Sequence, residues 1–478
     1  MLLVGCLIAL PALSSYAATT IKAGTCGTAD VLTAINSASD GDTVLVPACD
    51  PTTWTSGIRM CKSLTLQGAG AGNTTIISNT SVDPVFGVTN PCNGKTIRVT
   101  GFTFIDQLIV SGGMINFFHC FGCVARVDHN TFIGNATTNG RAIGFIGSVT
   151  GVIDHNTVQD MGMKVSYTIS GEPSSNTGDN SWTQAPSFGT NNAIYVEDNT
   201  ISWVNHTDQW DCDNGGRVVY RYNTFTKAVG LSGLLGGTGP FNHGYDSVPR
   251  SCFEVDVYNN TILGGGTRAI QFRGGSGLIY NNIISGKWDN AAFELDSYRS
   301  EAGSVGGAGN RYGNICDGTQ PVDGNTAGTN GWPCRDQVGR GTDNGNPGAQ
   351  GSYPIYSWNN CMTALGCTPG GVDAVVPIPK QAYGGTPNYV SIHIVANRDY
   401  YDMVPSFNGT VGVGQGTLNA RPSTCTAGVA YWGTDTNVLY KCSATNTWIT
   451  YYTPFQYPHP LVGAPVIEPP SKLSVVVS

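Results

Sequence analysis

The chain has 478 residues, of which 64 are glycine and 12% are charged. Glycine is nearly twice as frequent as its usual share of about 7%, and the charged fraction lies well below the usual value of about 25%. Because long surface helices need Glu, Lys, Arg and Ala, this composition argues against a helical protein. The net charge of −8 argues against nucleic acid as the main partner.

Residues 1–18 have the pattern of a secretory signal peptide. An apolar run from Leu2 to Leu13 is followed by small residues at Ser15 and Ala17, which suit cleavage after Ala17. No Lys or Arg precedes the run, which departs from the pattern. No later segment reaches the ~18–20 apolar residues of a membrane span. We therefore expect a secreted, extracellular or periplasmic protein that lacks a membrane span and is a monomer.

The next segment predicts the start of a repetitive domain. Residues 29–38 are amphipathic and suit a capping helix, and residues 62–70 open a series of coils. In this series a short apolar strand ends in Asn, followed by Thr or Asn and a further apolar residue. The aligned asparagines are Asn130, Asn156, Asn199, Asn223, Asn260 and Asn282. Their spacings of 26, 43, 24, 37 and 22 residues predict a solenoid with insertions in the two longer gaps.

Apolar residues alternate with period two on both sides of each Asn, which is typical of strands with one face inward. Asn tolerates the left-handed conformation of a sharp turn, and stacked Asn amides can hydrogen-bond from coil to coil. The run from Ala34 to Gly70 and the Asn-Thr-Phe repeats resemble right-handed parallel β-helix proteins of the pectate-lyase-like superfamily. The resemblance covers residues 25–320. It implies an all-β fold, a right-handed parallel β-helix over residues 19–415, and a carbohydrate-active enzyme.

The repeat fades after residue 320, where long covering segments and a last coil are expected. Residues 416–478 predict a small β-hairpin module with a Pro-rich tail. Its strands lie near Tyr431, Tyr440 and Ile449, with a turn at Asn446. The Trp and Tyr residues of this module would form its own small core or a sugar-stacking surface. The tail from Pro454 is expected to be extended and packed on the surface.

Of the 15 cysteines, 14 follow the predicted signal peptide, and an even number in an exported chain predicts disulfides. Closeness in sequence suggests the pairs Cys49–Cys61, Cys316–Cys334, Cys361–Cys367 and Cys425–Cys442. Cys120 and Cys123 have the spacing of half a zinc site, but the sequence has no clear second half.

Charged and histidine residues concentrate between residues 206 and 273, beside the Gly-rich insertion at residues 230–250. They are His206, Asp208, Asp211, Asp213, Arg217, Arg221, Lys227, His243, Asp246, Arg250, Arg268 and Arg273. Arg217 and Arg221 share one face of a strand and are expected to point outward over a groove. The neighbouring coils should place Asp256 or Tyr258, and then Tyr280, beside Arg221.

The leading functional prediction is β-elimination on a uronic-acid-containing polysaccharide. This chemistry needs cations or Ca²⁺ to neutralise the substrate carboxylate, and a base to remove a proton. The catalytic candidates are Arg217, Arg221, His243, Arg250 and Arg273. The substrate-binding candidates are Asp208, Asp211, Lys227 and Arg268. Asp211 and Asp213 are candidate ligands for Ca²⁺, which prefers oxygen atoms.

Glycoside hydrolysis by paired carboxylates is an alternative. The order of Asp211, Asp213, His243 and Arg268 loosely resembles the motifs of polygalacturonases. However, Cys212 splits the adjacent Asp pair of that family, and its final Arg-Ile-Lys is missing. A C5-epimerase and a non-catalytic glycan-binding surface protein remain further alternatives. Solvated charges and salt bridges on an outer face would explain the cluster without any function.

Two Asp-His pairs resemble the Asp-His pair of pectate lyases, in which the Asp helps to hold calcium. They are Asp128-His129 and Asp154-His155. The Trp-Ile that precedes the pair in that family is replaced in both copies. Because the copies lie one coil apart, a stacked structural feature explains them as well as a metal site does.

Overall fold

The computed structural model of the protein describes residues 18–80, 84–89, 91–108, 112–135, 140–166, 179–204, 210–227, 240–242, 250–295, 333, 336–343, 349–362 and 394–463. The predicted signal peptide lies outside these residues except for Ala18. No helix among the described residues is long and apolar enough to cross a membrane.

Three long parallel sheets, here called A, B and C, build a right-handed parallel β-helix, which confirms the predicted fold. Each coil passes through sheet C, then A, then B. Sheet A contains Thr20–Lys22, Thr43–Leu45, Thr65–Gln67, Thr96–Thr100, Cys123–Asp128, Val149–Asp154, Ile194–Glu197, Arg217–Arg221, Glu254–Tyr258, Leu278–Tyr280, Ile355–Trp358 and Tyr400–Asp402. Sheet B contains Cys49–Trp54, Thr74–Ser78, Thr103–Asp106, Thr131–Ile133, Thr157–Gln159, Thr200–Trp203, Thr224–Lys227, Thr261–Leu263, Ile283–Ile284 and Cys361–Met362. Sheet C contains Ile58–Arg59, Phe86–Thr89, Ile115–Phe118, Arg141–Ile146, Gly162–Ser166, Trp210–Asp213, Pro240–Asn242, Gly265–Phe272 and Lys287–Leu295.

The core runs along the axis between the three sheets, because alternate side chains of every strand point inward. Inward residues pack on their counterparts one coil away. Phe104 and Phe132, for example, are register partners whose rings stack with centroids 5.2 Å apart. Apolar residues thus fill a continuous column, and the charged residues are left to the outer faces and turns.

The predicted asparagine ladder is confirmed. The backbone and side-chain N–H groups of Asn130 both donate to Oδ1 of Asn156, at 3.0 and 3.2 Å. The same two bonds recur at every step through Asn199, Asn223, Asn260, Asn282 and Asn360. Asn360 shows that the repeat continues for one coil beyond the spacing pattern. Because these amides are buried, each bond satisfies a polar group that water cannot reach.

The left-handed residue of each turn is the one before the ladder Asn, not the Asn itself. Its φ lies between 53° at His129 and 58° at Tyr222. This line of residues, here called the corner row, comprises His129, His155, Asp198, Tyr222, Asn259, Asn281 and Asn359. The row runs along the edge between sheets A and B, so its side chains form a stripe across successive coils.

A helix covers the N-terminal end of the β-helix. Helix Thr28–Ser37 buries Val31, Ala34 and Ile35 beside the first two strands of sheet A, which confirms the predicted capping helix. The remaining short elements are helix Asp179–Trp182, the 3-10 helix Leu418–Ala420 and the strand pair Arg340–Gly341 and Gly351–Ser352.

A four-stranded sheet follows the β-helix and contains the predicted hairpin. Its strands are Val413–Gly416, Ala430–Gly433, Val438–Ala444 and Thr447–Tyr452. Trp432 and Tyr452 of this sheet pack on Tyr280 of sheet A, with ring centroids 5.5 and 6.1 Å away. The module therefore shares its aromatic core with the β-helix. Residues 454–463, here called the tail, continue across the outer face of sheet A.

Five disulfides join pairs of described cysteines: Cys26–Cys49, Cys61–Cys92, Cys120–Cys123, Cys212–Cys252 and Cys425–Cys442. The prediction for Cys425–Cys442 is confirmed, and the prediction for Cys49–Cys61 is wrong, because each of these two cysteines bonds a different residue. Cys120 and Cys123 bond each other and are not zinc ligands. The predicted pairs Cys316–Cys334 and Cys361–Cys367 include residues outside the described part of the chain.

Candidate functional site

The connections between strands identify the face of the β-helix that varies. From Thr100 onward, the chain passes from sheet A to sheet B through two residues in every coil, such as Tyr222 and Asn223. The connections that enter or leave sheet C differ greatly in length. One runs from Ser166 to Ile194, and its counterpart one coil later runs from Asp213 to Arg217. The outer face of sheet C is therefore the face that insertions border, as functional loops on a rigid scaffold commonly do.

A row of polar residues crosses this face. The parallel register places Lys164 beside Asp211 on the next strand. Phe241 follows on the third strand, and Gln271 and Glu294 follow side by side on the fourth and fifth. Trp210 and Cys212 lie in the hydrophobic core. Because side chains alternate along a strand, Asp211 and Asp213 both point to the outer face.

The acidic residues of the row have cationic and polar partners. Lys164 Nζ lies 2.6 Å from Oδ2 of Asp213, and the Ser166 hydroxyl donates to the same carboxylate. Three strands further along, Glu294 accepts hydrogen bonds from Arg268 and, at 2.7 Å, from Nε2 of Gln271. Such charged contacts fix side chains in place before any ligand arrives.

The charges of this row set the state of its lysine. Burial alone would lower the pKa of Lys164, but the negative charges of Asp213 and Asp211 raise it above the usual value. Lys164 therefore stays protonated at neutral pH and can donate hydrogen bonds but cannot act as a base.

The spacing of the two aspartates is set by the strand. Two residues at ~3.3 Å each separate the backbone positions of Asp211 and Asp213 by about 6.6 Å. Inverting glycoside hydrolases hold their two carboxyl groups ~6.5–9.5 Å apart, so that a water molecule fits between the sugar and the base. Side chains that project from one face of a strand at positions about 6.6 Å apart can bring their carboxyl groups to such a separation.

The two arginines of strand Arg217–Arg221 do point outward, as predicted, but other parts of the chain cover them. Arg217 is 1% exposed and donates to the carbonyl oxygen of Ala185 at 3.0 Å. Arg221 is fully buried, and its Nε donates to Glu197 at 2.7 Å. Its terminal nitrogens donate to the tail at the carbonyl oxygens of Phe455 and Gln456.

The neighbours predicted for Arg221 are confirmed. Tyr258 is its register partner on the next coil, and Tyr280 follows on the coil after that. Tyr258 accepts a hydrogen bond from Arg221 through its hydroxyl oxygen, at 3.2 Å. Of the two residues considered, Tyr258 and not Asp256 is therefore the direct neighbour.

The other predicted site residues are distributed around the coil. Arg250 makes ion pairs with Asp336 and Asp343, at 2.8 and 2.6 Å. Arg273 is buried and directly follows the sheet C strand that ends at Phe272, whereas Lys227 is buried at the end of a sheet B strand. His243 and Asp208 lie outside the described residues, as do His206 and Asp246. The structure thus brings Asp211 and Asp213 together, and places Arg268 on the same sheet.

Among the described residues, Asp128, His129 and Asp154 form one group that could hold a metal ion, with ligand atoms within 4.8 Å of one another. Both carboxylates already contact arginines. Arg98 donates two bonds to Asp128, at 2.8 and 2.6 Å, and Arg126 donates two bonds to Asp154, at 3.0 and 2.9 Å.

Burial would raise the pKa of Asp128, but hydrogen bonds from Arg98 and His129 and the charge of Arg126 lower it to about 2. The carboxylate charge is therefore matched by the protein itself. Ca²⁺ takes 6–8 oxygen ligands, which this group of two paired carboxylates and an imidazole does not offer. The stacked His129 and His155 rings, with centroids 5.0 Å apart, agree with the structural explanation of the Asp-His repeat.

Sequence reasoning missed Lys164, Gln271 and Glu294 as members of the sheet C row. Lys164 and Glu294 lie outside the charged stretch between residues 206 and 273, and Gln271 carries no charge. A signal was nevertheless available in the order of strands. Lys164 lies in the sheet C strand of the coil that contains Asn199, just as Asp211 lies in the sheet C strand of the coil that contains Asn223. The insertion between them hides that correspondence.

The chain matches no protein-family model, no curated protein and no solved structure.

Proposed function

We propose that this protein is a secreted carbohydrate-active enzyme that hydrolyses glycosidic bonds of a polysaccharide on the outer face of sheet C. The observation that carries the proposal is the same-face pair of carboxylates at Asp211 and Asp213, beside the protonated Lys164. Secretion is supported by the five disulfides, which persist in oxidising compartments.

The proposed roles follow from the contacts of the two carboxylates. Asp213, which pairs with the charge of Lys164 and accepts a hydrogen bond from Ser166, acts as the base that takes a proton from water. Asp211 acts as the acid that protonates the leaving glycosidic oxygen. Arg268, Gln271 and Glu294 lie along the same face, are at most 2% exposed and bond one another, so they support the site from below.

We prefer hydrolysis to β-elimination, which is the leading prediction from the sequence, because the cations near Asp211 and Asp213 are already paired with carboxylates. Elimination needs cations that neutralise a substrate carboxylate and a group that accepts a proton. Lys164 and Arg268 already contact Asp213 and Glu294, and the raised pKa of Lys164 removes it as a base. No step is assigned to Ca²⁺, because Asp213, Asp128 and Asp154 are held by cationic side chains.

The reaction class can be read from the product. We expect the purified protein to release reducing ends from at least one of polygalacturonate, alginate and glycosaminoglycan, without the ultraviolet absorbance of an unsaturated sugar. Asp211→Asn, which keeps the size of the side chain, should lower the rate about 10²–10⁴-fold. An unsaturated product would establish a lyase instead. Binding without any product would establish a non-catalytic glycan-binding protein.

A further inference from the structure

A cleft of about 360 Å³ lies where the tail passes the corner row. Tyr222, Asn259 and Asn281, from three successive coils, line one side of it, and Tyr457 of the tail lines the other. The volume falls within the ~300–1,000 Å³ typical of small-ligand sites. The cleft lies on the outside of the β-helix, over the edge where sheet A meets sheet B. None of these residues takes part in the proposed hydrolysis.

Tyr222 is the unusual residue of the corner row. Its φ of 58° is left-handed, and a bulky side chain seldom adopts that conformation. The next two coils have Asn259 and Asn281 at the same position, and Asn tolerates the left-handed region well. The backbone thus favours Asn at residue 222, so the presence of Tyr is explained by what its ring does.

The ring of Tyr222 lies against that of Tyr457, with centroids 3.8 Å apart and an angle of 27° between the planes. Both residues remain exposed to solvent, at 38% and 43%. An accessible aromatic pair next to side-chain amides presents apolar ring surface together with hydrogen-bonding groups. A sugar has the matching surface, since its C–H groups pack on aromatic rings and its hydroxyl groups bond to amides.

The charges at the cleft favour an uncharged ligand. Arg221 at its base is already bonded to Glu197 and to the tail. Asp198, beside the rim, accepts a hydrogen bond from the Tyr457 hydroxyl at 2.8 Å. Burial raises the pKa of Tyr258 to about 12, so this residue stays neutral. Among the described residues that line the cleft, an acidic sugar would therefore meet no cation without a partner, and a carboxylate lies beside the rim.

We propose that this cleft binds an uncharged segment of a polysaccharide, with Tyr222 and Tyr457 packing on a sugar ring and the amides of the corner row bonding its hydroxyl groups. The site would hold a neutral polysaccharide, or a neutral stretch of a mixed one, on one face of the β-helix while another face carries out the reaction. The proposal does not depend on that reaction, because binding is measured without turnover.

The test is a calorimetric titration of the full chain with cellohexaose, mannohexaose, xylohexaose and hexagalacturonate. We expect at least one of the three neutral hexasaccharides to bind. Tyr222→Asn should weaken that binding at least about tenfold, whereas its unfolding temperature should be equal or higher because Asn suits the backbone. The control Tyr440→Ser removes a tyrosine of the C-terminal sheet that packs under Arg421 and does not line the cleft, and should leave binding unchanged.

Three results would overturn the proposal. The first is that none of the neutral hexasaccharides binds. The second is that hexagalacturonate alone binds and Tyr222→Asn abolishes this, which would make the ligand acidic. The third is that Tyr222→Asn lowers the unfolding temperature and leaves affinity intact, in which case Tyr222 only fastens the tail.

Discussion

The outer faces of sheets A and C both carry buried ion pairs, but the chain uses the two faces differently. On sheet A, Arg221 pairs with Glu197 and Arg126 pairs with Asp154, and both arginines also donate to carbonyl oxygens of the tail. On sheet C, the pair of Lys164 and Asp213 lies between connections of variable length. Asp211 and Asp213 are 4% and 3% exposed, so burial alone does not separate the two faces. They differ in what borders them, which is the tail on sheet A and connections of variable length on sheet C.

The comparison also shows that Arg217 and Arg221, two catalytic candidates from the sequence, are covered by other parts of the chain. Arg221 donates hydrogen bonds to carbonyl oxygens of residues more than two hundred positions later in the chain. The module and tail in turn depend on such contacts, since Tyr452 bonds Tyr280 and His459 bonds Glu197. Sheet A thus serves as the docking face for the C-terminal region.

The largest effect on stability is expected for Arg221→Met. The substitution leaves the buried Glu197 without its guanidinium partner and removes two donors to the tail, so it should cost about 3–5 kcal/mol of the free energy of unfolding. Chemical denaturation measures the change. As a control, Arg221→Met combined with Glu197→Met should recover most of the loss, because it leaves no unpaired buried charge. A loss below about 1 kcal/mol, typical of an exposed pair, would contradict a structural role.

A smaller effect is expected from pH, through His459 in the tail. Asn191 Oδ1 lies 3.0 Å from Nε2 of this residue, and the backbone N–H of Leu461 donates to Nδ1 at 3.2 Å, which fixes a neutral ring. Burial, assisted by the charge of Arg221, lowers the pKa of His459 to about 4. Below its usual pKa of about 6.5, the released tail binds a proton that the docked tail does not, so docking should weaken as pH falls from 6.5 towards 4.

Hydrogen exchange of residues 454–463, corrected for the intrinsic pH dependence of exchange, measures this docking. Protection should fall over that pH range, and the fall should be smaller in His459→Gln. Equal protection at both ends of the range in the unchanged protein would show that His459 does not control the tail.

Much of the fold could be predicted because it follows from the local periodicity of the sequence. The Asn spacing and the alternation around it define the coil, and the ladder from Asn130 onward follows directly. The hairpin disulfide Cys425–Cys442 is equally local. Cys49 and Cys61 were mispaired because closeness in sequence ignores the coil, and each bonds a cysteine 23 or 31 residues away.

The candidate site was less predictable, because it depends on contacts between distant parts of the chain. The burial of Arg221 results from a tail 234 residues later, which no local pattern reveals. Lys164 and Asp213 are separated in the sequence by the long connection from Ser166 to Ile194. Strand alternation could place Asp211 and Asp213 on one face, but it could not tell which outer faces are covered.

The most direct test of the account compares Asp213→Asn with Glu197→Gln. Each removes the charge of a buried carboxylate that is paired with a cation, one on sheet C and one on sheet A. Initial rates of reducing-end release per folded molecule should fall about 10²–10⁴-fold for Asp213→Asn and stay near the unchanged rate for Glu197→Gln. Full activity in Asp213→Asn, with activity lost in folded Glu197→Gln, would contradict the assignment of catalysis to sheet C.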